Sequence, residues 1–285
     1  MTSGKFITGI NAGYAQKAGY YTSEEFESVI RHATNANSEW LTLNVSIIQE
    51  RWFSRNITFD YCRTAKDHEL EYAVKLCRKK GLKVMLKPVL LCLDGSWRGM
   101  INFLAADEPP QLIEGIVVDY WSKWFTSYRF AIKRYAIIAQ RLGIDGFCIG
   151  SELLASQKLK SKEWQKTIEY ARKYFKGEIT YELAIADSDE YMAISECNYL
   201  DEYHRTGAWE WYKSLDFLSA SRRFPNLHPE TIQEKLQPLA ALSEKLGKPI
   251  LISNCNVDDA SFNNNEFGNL IEVFKNMNFI SGCFI

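Results

Sequence analysis

The chain has no Cys-x-x-Cys pair, and its four histidines are scattered, so no stretch has the spacing of a zinc site. It has no GxGxxG or GxxxxGK[ST] loop, which excludes the usual phosphate cradles of dinucleotide- and nucleotide-binding folds. No apolar run approaches the length of a membrane span. The N-terminal MTSGKFITGINAG lacks the basic region and apolar core of a secretory signal. Neither sign of charge dominates: 34 Lys and Arg stand against 35 Asp and Glu, giving a net charge of −1. No global field draws the chain to nucleic acid or to an anionic membrane. Seven cysteines, an odd count, lie mainly in apolar runs and read as buried free thiols, not as a disulfide framework. These absences point to a cytoplasmic protein with no metal, no organic cofactor, no nucleic-acid partner and no membrane partner.

What the chain has is core. Of its 285 residues, 46% are hydrophobic and 14% aromatic, including 8 Trp and 15 Tyr. Such aromatics serve core packing, or line a sugar cleft where a ring face stacks on a pyranose. Short β-branched runs alternate with longer stretches of helical periodicity. Strands are expected near 6–11, 40–48, 82–93, 144–154, 178–186, 215–221, 249–254 and 279–285. Helices are expected over 23–37, 68–81, 117–143, 162–175, 229–247 and 266–278. Ser23 reads as an N-cap, with Phe26, Val29, Ile30 and Ala33 on the apolar face behind it. Eight β units with helices in most gaps predict an α/β fold, a single-domain (β/α)8 TIM barrel over residues 1–285 that ends on strand eight without a final helix.

In such barrels the chemistry sits at the C-terminal ends of the strands. The polar residues there are few enough to name. Asn44 lies on strand two, and Lys87 on strand three. Trp97 and Arg98 follow in the loop "DGSWRGMINF". Glu152 ends strand four in "FCIGSELL", behind a glycine. Tyr181 and Glu182 lie on strand five, Arg222 and Arg223 after strand six, and Asn254 after strand seven in "KPILISNCNV", where the strand is expected to open into a loop. Glu152 suits a general acid, or else an ion-paired residue opening the next helix. Trp97 and Arg98 suit stacking on a sugar with forked hydrogen bonds, or anchoring of their own loop. Two adjacent arginines suit an acidic sugar, or bulk solvent. Glycosidases need two carboxyls across the scissile bond. An asparagine at the second position can neither attack the anomeric carbon nor offset an oxocarbenium charge. Glu182 is the nearest substitute carboxylate.

Four stretches, "GLKVMLKPVLLCLDGSWRGMINF", "YWSKWFTSYRFAIKRYAIIAQRLGIDGFCIGSEL", "EWQKTIEYARKYFKGEITY" and "LGKPILIS", resemble glycoside hydrolase family 113 in order, covering most of residues 6–254. That family includes β-mannanases and proteins labelled β-xylanases. The resemblance implies an oligosaccharide or polysaccharide partner of the β-mannan or xylan type. It puts Glu152 at the acid/base position, and it puts Asn254 where the family has a nucleophilic glutamate. Further departures are "SRRFPN" after strand six and Glu182 after "TY", where relatives tend to carry asparagine. The sequence also ends before the tryptophan that the resemblance leads one to expect beyond strand eight. The first expectation is therefore a glycan-binding barrel with weak or absent retaining hydrolysis. Two alternatives remain: an active glycosidase pairing Glu152 with Glu182, and a non-catalytic structural or interaction protein.

Overall fold

The computed structural model describes residues 5–13, 17–103, 111–113, 116–184, 209–224, 226–257 and 264–284. The expected ends of strand five (185 and 186) and of strand eight (285), together with most of the stretch 187–214, lie outside the described residues. The strands are β1 (Ile7–Ala12), β2 (Trp40–Gln49), β3 (Ile57–Thr58), β4 (Lys83–Cys92), β5 (Gln111–Ile113), β6 (Ile116–Val118), β7 (Gly146–Ser151), β8 (Glu178–Leu183), β9 (Leu218–Phe224), β10 (Ile250–Val257) and β11 (Ile280–Phe284). Eight of them close a parallel barrel in the order β1, β2, β4, β7, β8, β9, β10, β11 and back to β1. The expected (β/α)8 architecture is therefore present. Two short additions are antiparallel: β3 on the end of β2, and the hairpin β5–β6.

The helices are α1 (Glu24–Asn35), α2 (Asp67–Lys79), α3 (Tyr120–Arg141), α4 (Leu154–Leu159), α5 (Ser161–Arg172), α6 (Pro229–Leu246) and α7 (Asn264–Lys275). Ser23 caps α1 as expected, its side chain accepting from the Phe26 N–H at 3.3 Å. The start of α3 was placed too early by the sequence. Residues 116–118 belong to the hairpin, and Asp119 caps the helix by accepting from the Ser122 N–H at 3.0 Å. The turn after β7 contains α4, which its short polar sequence did not signal. Among the described residues, no helix is long and apolar enough to cross a membrane.

Most of the aromatic content is packing. Trp121, Trp124, Phe125 and Tyr128 of α3 recur every three to four residues and are buried between the helix and the barrel wall. Trp164 of α5 packs on Phe125, Tyr128, Tyr181 and Trp211, tying α3, α5, β8 and the 3-10 turn Glu210–Ser214 into one ring cluster. Inside the barrel a second apolar cluster of Ile7, Trp40, Met85, Cys148, Phe217, Leu251 and Phe284 fills the floor. Further along the same strands, toward their C-terminal ends, the inward side chains become polar. That change of chemistry marks the mouth.

Candidate active site

The mouth is organised by a buried ion pair. Glu182 on β8 is wholly buried, and Lys87 on β4 nearly so. Lys87 Nζ donates to Glu182 Oε2 at 2.8 Å. Ser253 Oγ of β10 donates to the same oxygen at 2.8 Å, and Ser151 Oγ of β7 donates to Oε1 at 2.6 Å. Contacts from four strands can meet only if all four side chains point into the barrel. Burial pushes the Glu182 carboxyl up, but the Lys87 charge and the hydrogen bonds from Lys87, Ser151 and Ser253 together outweigh it and hold the carboxyl below the usual glutamate range.

Glu152 follows the end of β7 with φ of +52°, a left-handed conformation that non-glycine residues seldom adopt. Three hydrogen bonds hold that turn. The Glu152 N–H donates to the Glu182 carbonyl at 2.9 Å. Arg98 Nε donates to the Ser151 carbonyl at 3.0 Å. The Leu153 N–H donates to the Tyr181 hydroxyl at 3.0 Å. Just upstream, the β7–β8 register slips between Cys148 and Ser151. Tyr128 donates to the Ile149 carbonyl inside that irregularity at 2.8 Å. Gly150 is required there by close approach: a Cβ would lie 2.6 Å from the Tyr181 ring.

Glu152, Trp97 and Arg98 come together. Arg98 is buried, and its Nη2 donates to Glu152 Oε2 at 2.6 Å and to Ser151 Oγ at 3.4 Å. Trp97 Nε1 reaches Glu152 Oε2 at 3.5 Å. The Glu152 side chain stays 16% exposed, so one face of the carboxyl remains open to solvent. The loop that delivers the Trp–Arg pair is shaped by Asp94, which accepts from the Ser96 and Trp52 N–H groups at 3.0 and 3.1 Å. Gly99 lets the Trp97 ring fold back over the chain, where a Cβ would fall 2.0 Å from the ring.

Asn254 lies within β10, not in a loop. The strand runs on to Val257, paired with β9, and the Ser253 and Asn254 side chains find partners in Glu182 and Ser221. The β9–β10 register slips between Ile252 and Asn254, and such a bulge re-aims a side chain. Asn254 is half-buried, and its Nδ2 donates to Ser221 Oγ at 3.2 Å. Ser221 was not singled out from sequence. Its signal is the spacing of two from Ser219, a residue whose hydroxyl meets Thr180 and the Tyr181 carbonyl.

The other residues named from sequence divide. Asn44 is buried; its Nδ2 donates to the Ala12 carbonyl at 3.0 Å, and its Oδ1 is an unpaired buried acceptor. Tyr181 does not face the mouth. Its ring is buried in the Trp164–Trp211 cluster on the outer side of β8, and it supports the Glu152 turn from behind. Arg222 likewise points outward, its Nε donating to the Lys235 carbonyl of α6 at 2.8 Å. Arg223, the next residue along the alternation, is exposed. Tyr181 and Arg222, expected as sugar contacts, thus lie on the outer side of their strands. Among the described residues, no three His, Cys, Asp or Glu side chains gather as a metal site.

The closed barrel carries an arginine-held glutamate at its C-terminal mouth. The chain belongs to glycoside hydrolase family 113, whose family model matches residues 10–265. No curated protein matches it. Among solved structures, a GH113 beta-1,4-mannanase superposes with a TM-score of 0.78 at 22% identity, covering 98% of this chain and 87% of that one. GH113 beta-mannanase AaManA from Alicyclobacillus acidocaldarius, in complex with ManMIm, gives 0.74 at 22% identity, with coverage of 98% and 86%. The hyperthermostable endo-1,4-beta-D-mannanase from Thermotoga petrophila RKU-1 gives 0.58 at 12% identity, with coverage of 98% and 87%. At these identities the likeness is one of fold.

Proposed function

We propose that the chain is a glycan-binding barrel that takes a β-1,4-linked mannan-type oligosaccharide at its mouth and catalyses little or no retaining hydrolysis. Glu152 holds the acid/base position, with Trp97 and Arg98 beside it as substrate contacts, while Asn254 holds the nucleophile position. The observation that carries the reading is Asn254 itself: a half-buried amide, donating to Ser221, on the strand end where the family resemblance calls for an attacking carboxylate. Without that carboxylate no covalent glycosyl intermediate forms. The alternative in which Glu182 attacks is disfavoured by burial and by occupancy, since both its oxygens already accept and it is wholly enclosed. The six described cysteines are free, which fits a reducing, cytoplasmic setting.

The test is turnover and binding of mannohexaose and xylohexaose by the natural chain, Asn254→Glu and Glu152→Gln, with product anomers followed by NMR. The expected result is mannohexaose binding without turnover in the natural chain. A missing nucleophile costs on the order of 10⁴–10⁶ in rate. Asn254→Glu should recover a detectable fraction. Robust turnover by the natural chain with retained configuration, abolished in Glu152→Gln, would refute the reading.

A further inference from the structure

Two residues set the chemistry of the mouth on the reading above, Glu152 and Asn254, and each follows an irregularity in the backbone ladder. The β7–β8 register slips just before Glu152, and the β9–β10 register slips just before Asn254. Such an irregularity re-aims the side chains beside it, so contacts beyond the ladder bear on where they point. The residue immediately before Glu152 is Ser151, and the residue immediately before Asn254 is Ser253. Both hydroxyls donate to one carboxylate, Glu182, at 2.6 Å through Oε1 and 2.8 Å through Oε2. The Glu182 carbonyl also takes the Glu152 N–H at 2.9 Å. Lys87 holds the carboxylate in place from a fourth strand at 2.8 Å.

We propose that Glu182 is the positioning residue of the mouth, its single carboxylate fixing Glu152 and Asn254 relative to one another by tethering the residue before each. The chemistry explains the residue type. Two hydroxyls and an ammonium arriving from three strands need an acceptor-only group with two oxygens. A glutamine offers one acceptor oxygen and turns a donor toward the other hydroxyl or the ammonium. Enclosure suits this role, since a positioning group has no need to meet the sugar. The proposal deepens the glycan-site reading and rests on it only for the effect on sugar binding.

The test reads placement directly. The Trp97 indole N–H, which reaches Glu152, reports on that carboxyl in a ¹⁵N spectrum, and its peak is assigned with Trp97→Phe. The Trp124 indole, which donates to Gln49 at 2.8 Å, is the internal control for intact folding. In Glu182→Gln the Trp97 peak and the Asn254 side-chain amide peaks should both move, with the Trp124 peak unmoved. Ser151→Ala should move the Trp97 peak, and Ser253→Ala the Asn254 peaks. These two variants leave the Lys87–Glu182 pair intact and carry the test if Glu182→Gln does not fold. A residue that only stabilises the fold would lower the unfolding midpoint and leave the native peaks in place; unmoved Trp97 and Asn254 peaks in the folded variants overturn the proposal. Mannohexaose affinity should fall about tenfold in Glu182→Gln, the factor for one misplaced hydrogen-bonding group. A natural chain that binds no mannohexaose overturns the glycan reading, while moved peaks would still uphold Glu182 as the positioning residue.

Discussion

Replacing Lys87 by methionine tests the buried pair at the mouth. The two side chains are 4% and 1% exposed, with 2.8 Å between Lys87 Nζ and Glu182 Oε2. At an effective dielectric near 20, unit charges at that separation attract by about 6 kcal/mol before desolvation is subtracted. Lys87→Met keeps the length of the stem but leaves a buried carboxylate with only two hydroxyl donors. Breaking a buried pair from one side costs ~3–5 kcal/mol. Glu182→Gln strands the ammonium in the same way and should cost about 3 kcal/mol. The double variant Lys87→Met/Glu182→Gln removes both charges and keeps an acceptor for one serine. It should lie within about 2 kcal/mol of the natural chain, so the coupling in the cycle is at least about 4 kcal/mol. Urea unfolding at neutral pH measures all four proteins. The pH dependence adds a check with a fixed sign. The Glu182 carboxyl is held below its ordinary range when folded, so its contribution is complete above that range and is lost as pH falls through the folded value. The gap between the natural chain and the double variant should therefore narrow below about pH 4, where glutamates protonate. Additive single costs, together with parallel acid profiles, would refute the reasoning.

Three further outcomes are expected. Gly150→Ala places a Cβ 2.6 Å from the Tyr181 ring and 3.0 Å from Trp164, and it should destabilise by ~1–3 kcal/mol in urea; an unchanged midpoint would show that the ring cluster yields freely. Burial pushes the Cys77 and Cys148 thiols up to about 12. In peptide mass spectrometry after native iodoacetamide treatment, exposed Cys62 should label while these two stay unmodified, since burial shuts out the reagent and leaves their thiolate populations about 10³ below that of an ordinary thiol. Labelling of Cys77 at the pace of Cys62 would contradict the burial. Asn254→Glu adds a carboxyl one residue from Ser253, which is hydrogen-bonded to the ionised Glu182. In a ¹³C-carboxyl titration, like-charge repulsion should raise the midpoint of the added group above the ordinary glutamate range; an ordinary or depressed midpoint would place Glu182 too far away to matter.

The strand starts and the barrel were legible because β-branched runs and helical spacing are local signals. What lay beyond them depended on parity and on partners. Tyr181 and Glu182 are neighbours in sequence, yet one joins the aromatic cluster outside β8 and the other the ion pair inside it. A single residue of register decides between them. The slips in β7 and β10 leave no mark in composition, so the inward set beyond each one could not be counted off. "SNCN" looked like a loop because polar residues usually meet water. Here Ser253 meets Glu182 and Asn254 meets Ser221, and the strand continues to Val257. The Glu152–Trp97–Arg98 group was readable because a carboxylate behind a strand-end glycine and a Trp–Arg pair in a loop both belong at a barrel mouth. The part played by Glu182 was not, since Lys87 lies 95 residues away and neither serine looks special alone.

The charges at the mouth bear on why the asparagine matters. Two carboxylates stand at its inner wall, and each is matched by a cation: Glu152 by Arg98 and Glu182 by Lys87. An oxocarbenium-like transition state needs negative charge on the sugar face opposite the proton donor. Glu152 is the donor on the proposed reading, and Glu182 is enclosed with both oxygens engaged, so neither supplies it. On the same reading the residue at the nucleophile position is Asn254, and an amide contributes a dipole in place of a charge. Hydrogen bonds to sugar hydroxyls do not depend on that charge, because neutral donors and acceptors serve ground-state recognition. On that reading, an asparagine in place of the carboxylate would separate binding from turnover: it would remove an interaction made only in the transition state and leave those made in the ground state. On the proposed reading, a barrel that keeps its arginine-held glutamate, Trp97 beside it and its buried ion pair while carrying Asn254 would hold a glycan without cleaving it by double displacement.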